Sequence, residues 1–209
     1  MRHGVGFSSQ SETNLWYSFN LDLVHFVSID TEVFKYSRDS IQIQRQLSWL
    51  EKDLKVANQN RQQQPWIIVY GHKASWMERE VVRLEELIVK YNVDLYFCGH
   101  IHNYLRFFPF WKDNVQRFPD ASRYLNPIYP VPVVTGAAGS REGLHLNEHG
   151  DLAKLAKEVE EYGYGILHVF NSSAVRWDFI SVANEIETDH HREIADSFWI
   201  IKSDPQALE

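Results

Sequence analysis

Two histidines separated by one residue, His100 and His102, follow a glycine in the stretch Phe97-Cys98-Gly99-His100-Ile101-His102-Asn103-Tyr104. Neutral imidazole nitrogen is the commonest protein ligand for zinc, iron and related ions. Two imidazoles at this spacing can reach one metal or two adjacent ones. The bare triplet is equally compatible with a turn that exposes both rings. A second stretch, Pro65-Trp66-Ile67-Ile68-Val69-Tyr70-Gly71-His72, again ends an apolar run in Gly-His. Together these place three imidazoles on one rim, so His72, His100 and His102 are the candidate metal ligands. No general acid or base is assigned from the residues alone.

These histidines need elements that hold them. The runs Val93–Phe97 and Ile67–Tyr70 are short, aromatic and β-branched, which predicts buried strands. In α/β sheets, sites form outside the carboxyl ends of strands. Trp16 to Phe19 and Val24 to Ile29 read as two more strands, with a turn at Asn20-Leu21-Asp22. Residues 40 to 58 predict a helix, because Ile43, Leu47, Leu50, Leu54 and Ala57 recur at helical spacing. Asp39 or Ser40 can cap it, and the polar run before Pro65 stops it. Residues 78 to 91 predict a second helix, with Val81, Leu84, Leu87, Ile88 and Tyr91 facing in. Strand, helix, strand, helix, strand implies parallel pairing with right-handed crossovers. His25 is expected to pack within its strand. Asp30, at that strand's end, is either a group supporting metal ligands from behind or a cap or turn residue.

Beyond His102 the texture changes. Residues 107 to 132 read as a long ordered loop, 131 to 135 as a strand and 136 to 143 as a glycine-rich turn that lets backbone pack close to the site. Residues 151 to 161 read as an exposed charged helix. Residues 164–170, 175–181 and 197–201 read as antiparallel strands. Asn171-Ser172-Ser173 fits both a glycosylation acceptor and a hairpin turn. His3 reads as a loop histidine, and His145, His149, His190 and His191 as solvated ones.

Composition bounds the function classes. The 209 residues allow one domain with a real core. A net charge of -7, from 28 acidic and 21 basic residues, argues against nonspecific binding to nucleic acid or anionic membrane. A phosphate substrate would have to be drawn in by metal. The single cysteine, Cys98, excludes an internal disulfide. No stretch reaches the roughly 18 apolar residues of a membrane span, and Met1-Arg2-His3-Gly4 opens no apolar signal core.

Val69-Tyr70-Gly71-His72 and Gly99-His100-Ile101-His102 resemble the VxxH and GHxH motifs of the calcineurin-like metallophosphoesterases. Within that superfamily the text resembles a purple acid phosphatase. Asn14 to Phe19, Val24 to Glu32 and Gln46-Leu47-Ser48-Trp49-Leu50 resemble that family's middle segment. Gly136-Ala137-Ala138-Gly139, Arg141-Glu142-Gly143 and Asp196-Ser197-Phe198-Trp199 resemble its C-terminal region. The resemblance covers nearly all of this chain and the C-terminal half of the family; DxG, GDxxY and GNH motifs are not present. It implies an α/β fold: a partial metallophosphoesterase sandwich, a mixed sheet with flanking helices, followed by C-terminal antiparallel strands. Residues 1–125 would be the C-terminal half of the catalytic domain and 126–209 the C-terminal region. It further implies an acid phosphatase hydrolysing phosphate monoesters at a dinuclear centre, secreted or lysosomal. His72 and His100 would bind a divalent ion (Zn, Mn or Fe) and His102 a ferric ion. Lys73-Ala74-Ser75-Trp76-Met77 carries no histidine where the family often has one, and Leu105 stands where it has a glutamate. Lys73 reads as a solvated lysine, with contact to phosphate as the alternative.

The alternatives are a noncatalytic metal-binding or interaction relative and a nonfunctional fragment. Pairing with a front-half chain, or a homo-oligomer, is the partnership the resemblance leaves open. The family's colour comes from a tyrosinate on ferric iron, and that tyrosine belongs to GDxxY. Three neutral imidazoles hold a divalent ion but offer a ferric ion no compensating negative charge. The chain alone is therefore expected to bind one divalent metal weakly and to show no visible charge-transfer band. Metal analysis and an absorption spectrum check this; two tightly bound metals or a purple band would overturn it.

Overall fold

The unbroken run Trp66-Ile67-Ile68-Val69 has no polar position to offer solvent, and all four residues are buried. It forms β3 (Trp66–Tyr70), which lies in the first of two compact units, Met1–Cys98 and Gly99–Glu209. The computed structural model describes residues 10–11, 13–36, 40–74, 82–146, 151–182 and 192–203.

In the first unit, β1 (Tyr17–Leu21), β2 (Val24–Ser28), β3 and β4 (Leu95–Cys98) lie side by side in that order. β1 runs antiparallel to β2, and β2, β3 and β4 run parallel, so the sheet is mixed, as expected. The helices are α1 (Glu32–Tyr36), α2 (Ser40–Gln59) and α3 (Val82–Lys90). Leu47, Leu50, Leu54 and Ala57 form the buried stripe of α2, and Leu84 and Ile88 that of α3. Asn92 closes α3 in the left-handed region at φ 52°, where asparagine is tolerated. Asp39 and residues 75–81 of the expected second helix lie outside the described residues. The first turn differs from expectation. β1 continues through Asn20 and Leu21, and the bend falls on Asp22, at φ 51°. Asn20 and Leu21 pair with His25 and Val24, so strand pairing outweighs the turn character of Asn20.

One half-buried arginine ties the strand entries together. Arg61 donates to Asp94 Oδ2 at 2.5 Å, to the Pro65 carbonyl at 2.9 Å and to the carbonyls of Tyr91 and Asn92. Asp94 Oδ2 also accepts from Ile67 N at 2.8 Å. The starts of β3 and β4 are thus fixed to each other by one ion pair.

The second unit is a β-sandwich. One layer is β9 (Val131–Thr135), β5 (Tyr104–Phe107) and β10 (Leu155–Val159), all antiparallel. The other is β11 (Gly163–Val169), β12 (Ala174–Val182), β13 (Arg192–Ile201) and β8 (Arg123–Leu125). β11, β12 and β13 are antiparallel, as expected, while β8 joins β13 in parallel. The expected loop over 107–132 contains a small hairpin of β6 (Phe110–Trp111) and β7 (Asn114–Val115), as well as β8. The expected charged helix at 151–161 is corrected more sharply. Residues 155–159 are strand β10, paired to β5 from Leu155↔Phe107 to Val159↔Tyr104. Ala, Lys, Leu and Glu favour helix locally, but the backbone groups of β5 offer a ladder, and tertiary context overrides weak propensity. Among the described residues, no helix is long and apolar enough to cross a membrane.

The two layers are joined at β5. Tyr104 stacks on Phe179 of β12, with ring centroids 4.2 Å apart. Arg106 grips Asp196 of β13 with two bonds, Nε to Oδ2 at 2.6 Å and Nη2 to Oδ1 at 2.9 Å. Its Nη1 donates to the Ala121 carbonyl at 2.7 Å and to the Tyr124 hydroxyl. Tyr104 donates its hydroxyl to Asp196 Oδ2 at 2.7 Å. Burial first, and Asp196 second, push the Tyr104 hydroxyl well up, so it stays a neutral donor. Removing one partner of a buried ion pair strands the other charge, which costs about 3–5 kcal/mol. Asp196→Ala should therefore lower stability by about 3–5 kcal/mol in chemical denaturation. A loss under 1 kcal/mol would show that Arg106 does not depend on this partner.

Candidate metal site

The chain delivers its first candidate ligand at the end of β3. Gly71 follows the strand, and His72 stands exposed beyond it. A Cβ on Gly71 would lie 2.9 Å from Ile29 Cγ1 and 3.0 Å from Thr31 Cγ2, so only glycine fits there without displacement. The flanks are pinned. Gly71 N donates to the Phe97 carbonyl at 3.1 Å, Lys73 N to Thr31 Oγ1 at 2.9 Å, and Tyr96 Oη to the Lys73 carbonyl at 2.6 Å. Burial pushes the Tyr96 hydroxyl well up, which keeps it a donor.

Behind this loop, the fully buried Gln46 of α2 closes both backbone groups of Asp30. Asp30 N donates to its Oε1 at 2.7 Å, and its Nε2 donates to the Asp30 carbonyl at 2.9 Å. Asp30 Oδ1 accepts from Glu32 N at 2.9 Å and Val33 N at 3.3 Å. Of its two expected roles, Asp30 thus fills that of a cap. Lys73 is not the solvated residue expected. It is 2% exposed, its Nζ 3.7 Å from Glu32 Oε2 and 5.0 Å from the Tyr36 ring centre. Its stem packs inward and its charge is met by a carboxylate and an aromatic face. His25 packs in its strand as expected, with ring nitrogens 2.6 Å from Asn20 Oδ1 and 2.9 Å from Asp53 Oδ2.

His100 and His102 open the second unit. His100 is exposed and sits at φ 67°, in the left-handed region that side chains other than Gly, Asn and Asp seldom enter. Such conformations persist where surrounding contacts enforce them. Here the enforcing contact is Gly136, whose Cβ, were there one, would lie 2.0 Å from the Ile101 carbonyl oxygen. Gly136 N donates to the Asn103 carbonyl at 3.1 Å. The glycine-rich turn thus packs directly under the His-x-His backbone.

The same turn brings two further groups to His102. His145 N donates to the His102 carbonyl at 3.0 Å, and Asn103 Nδ2 to the His145 carbonyl at 3.2 Å. The His102 and His145 rings lie 4.1 Å apart between centroids, tilted by 32°. His102 Nδ1 is 3.2 Å from the Gly143 carbonyl and 3.9 Å from Glu142 Oε2. One donor atom from each of His102, Glu142 and His145 lies within 4.8 Å of the others. His145 was expected to be solvated; it is half-buried against His102. Arg141-Glu142-Gly143 was visible in the sequence without a role, and nothing local linked His145, 43 residues on, to His102. His72 belongs to the first unit and His100 to the second. His3, His149, His190 and His191 lie outside the described residues. Cys98, at the end of β4, is a buried thiol outside any disulfide, which burial pushes up and keeps protonated.

Gly136→Ala must push the Ile101 carbonyl aside. Overpacking of this kind costs typically about 1–3 kcal/mol. A drop of that size in denaturant, together with shifted imidazole NMR signals from His100 and His102, is expected. Unchanged imidazole signals would show that the turn does not shape the His-x-His loop.

Residues 6–104 match the family model for calcineurin-like phosphoesterase, and residues 129–190 that for iron/zinc purple acid phosphatase-like protein C. Acid phosphatase type 7 of Homo sapiens is 32% identical over 210 residues, which take in 90% of this chain and 46% of that protein. Purple acid phosphatase 21 of Arabidopsis thaliana is 29% identical over 201 residues, 88% of this chain and 42% of that protein. Purple acid phosphatase PPD1 from yellow lupin (Lupinus luteus) seeds shares the fold with a TM-score of 0.73 at 23% identity, over 93% of this chain and 34% of that one. The chain spans about half the length of the curated relatives it matches. It belongs, over these residues, to the purple acid phosphatases among the calcineurin-like phosphoesterases.

Proposed function

We propose that this chain contributes imidazole ligands to the dinuclear metal centre of an acid phosphatase that hydrolyses phosphate monoesters. His72 and His100 serve a divalent ion (Zn, Mn or Fe), and His102 serves a ferric ion. The observation that carries this reading is the state of His102: its Nδ1 faces the Gly143 carbonyl at 3.2 Å. A carbonyl in that position fixes the tautomer and leaves Nε2 with its lone pair for a metal. The pinned backbone on both sides of His72 supports the same role, since a ligand held before the ion arrives loses less entropy on binding. When bound, metal ions at such a centre polarise the phosphoryl oxygens and generate a nucleophile from water.

The chain's own residues then bind and orient. Lys73 is buried against Glu32 and Tyr36, and Leu105 is fully buried, so neither side chain is offered to a phosphate. Substrate attraction falls to the ions, in keeping with the net charge of -7. On this reading residues 1–125 are catalytic-domain sequence and 126–209 the C-terminal region. The family resemblance supports a secreted or lysosomal setting.

The test is an aryl-phosphate assay at acid pH on the full chain loaded with iron and zinc. Weak turnover is expected that a chelator removes. Losing a metal ligand forfeits several kcal/mol of charge stabilisation, so His102→Ala should lower kcat by roughly a hundredfold or more. Turnover that persists in chelator would overturn the reading. Metal loading with no turnover would overturn it in favour of a noncatalytic metal-binding relative.

A further inference from the structure

We propose that His102, Glu142 and His145 together hold one metal ion, so that Glu142 and His145 are further ligands at the position assigned above to His102, a position that a divalent cation fills when it is supplied alone. The site shares His102 with the centre proposed above, but it does not rest on phosphatase activity.

Three observations support it. The first is the donor set. Two imidazoles and one carboxylate are a zinc-type set, the kind that leaves a fourth position for water or substrate. The second is distance. Donor atoms around a tetrahedral ion with bonds of about 2.0–2.2 Å are roughly 3.4 Å apart. The three donors here already lie within 4.8 Å of one another. The donors have to close by somewhat more than about 1 Å, and Glu142, whose side chain is 75% exposed, has room to rotate toward the two rings. The third is the backbone that carries them. The His145 amide is bonded to the His102 carbonyl, the Asn103 amide to the His145 carbonyl, and the His102 ring faces the Gly143 carbonyl. Each ligand is thus tied to the segment that bears another, so the 136–146 turn and the His-x-His loop present one preformed pocket edge. The two imidazole rings, 4.1 Å apart between centroids, and the Glu142 carboxylate, 3.9 Å from His102 Nδ1, bring one negative charge to the set. The carboxylate supplies the negative charge that an all-imidazole set lacks.

A zinc-type site accepts Zn²⁺ and Co²⁺, and Co²⁺ reports its geometry by visible absorption. The experiment titrates Co²⁺ and Zn²⁺ into the full chain, followed by the Co²⁺ spectrum and by calorimetry, with circular dichroism on every variant. His72→Ala, His100→Ala, Glu142→Gln, His145→Ala and His145→Gln are compared with the parent chain. A cation that keeps its affinity and spectrum in His72→Ala and His100→Ala, but binds at least tenfold more weakly in Glu142→Gln and in both His145 variants, supports the proposal. Equal affinity in the Glu142 and His145 variants, with loss in His72→Ala or His100→Ala, overturns it while leaving the centre of the previous section standing. Loss in both groups of variants means that one centre uses all five residues. That too upholds Glu142 and His145 as ligands. An unchanged Co²⁺ spectrum across every variant overturns both readings. Because Glu142→Gln is nearly isosteric at an exposed position, its circular dichroism is expected to match the parent.

Discussion

The ion pair between Arg106 and Asp196 is the constraint on which the second unit depends. Both side chains are buried, and a buried charge is tolerated only when it is paired and its remaining hydrogen-bonding groups are met. Arg106 makes four hydrogen bonds, and Asp196 accepts from Arg106 and Tyr104. The Tyr124 and Phe198 rings flank the guanidinium, at 5.8 and 4.9 Å from their centres. The pair holds β5 against β13 of the other layer, and β5 begins two residues after His102. Hence the geometry at the head of the His-x-His loop is inherited from an interaction in the core of the sandwich. The fork of the guanidinium matters here. A lysine would meet one carboxylate oxygen and leave the Ala121 carbonyl and the Tyr124 hydroxyl without their donor.

Around the histidines the same logic works at shorter range. Each Gly-His pair uses its glycine, or a glycine facing it, to let two backbones meet closer than a Cβ permits. At Gly71 the neighbours are Ile29 and Thr31, and at Gly136 the neighbour is the Ile101 carbonyl. Close approach then allows hydrogen bonds that fix the loops without any side chain reaching the site itself. Thr31, Tyr96 and Gln46 act in this way in the first unit, and Asn103 in the second. All four side chains are buried, so breaking these bonds would strand polar groups away from water, which makes the loop conformations costly to leave.

Much of this was legible in the sequence, because it rests on local pattern. The strand runs ending in Gly-His, the heptad-like stripe of α2 and the parallel pairing of β2, β3 and β4 all follow from periodicity and from alternation of element types. What was not legible depends on distant partners. Residues 155–159 read as helix because their composition favours it, and become a strand because β5 offers an edge. Gln46 carried no structural role of its own in the sequence, yet the end of β2 turns it into a clamp. Lys73 looked solvated, because no sequence pattern announces that Glu32 and Tyr36 will close over it. His145 looked solvated for the same reason: its relation to His102 is made by the packing of Gly136 on Ile101, a contact without a local signature.

These misread residues change how charge is understood in this chain. Along the sequence, Lys73 and Arg106 lie close to the histidine motifs. In the fold both have turned inward, Lys73 to Glu32 and Tyr36, Arg106 to Asp196. The histidine-bearing loops therefore draw no positive potential from these two neighbours. What they present is imidazole and, near His102, a carboxylate. A surface of that kind repels an anion and attracts a cation. On the proposed reading, affinity for a phosphate follows from cations that these loops already hold.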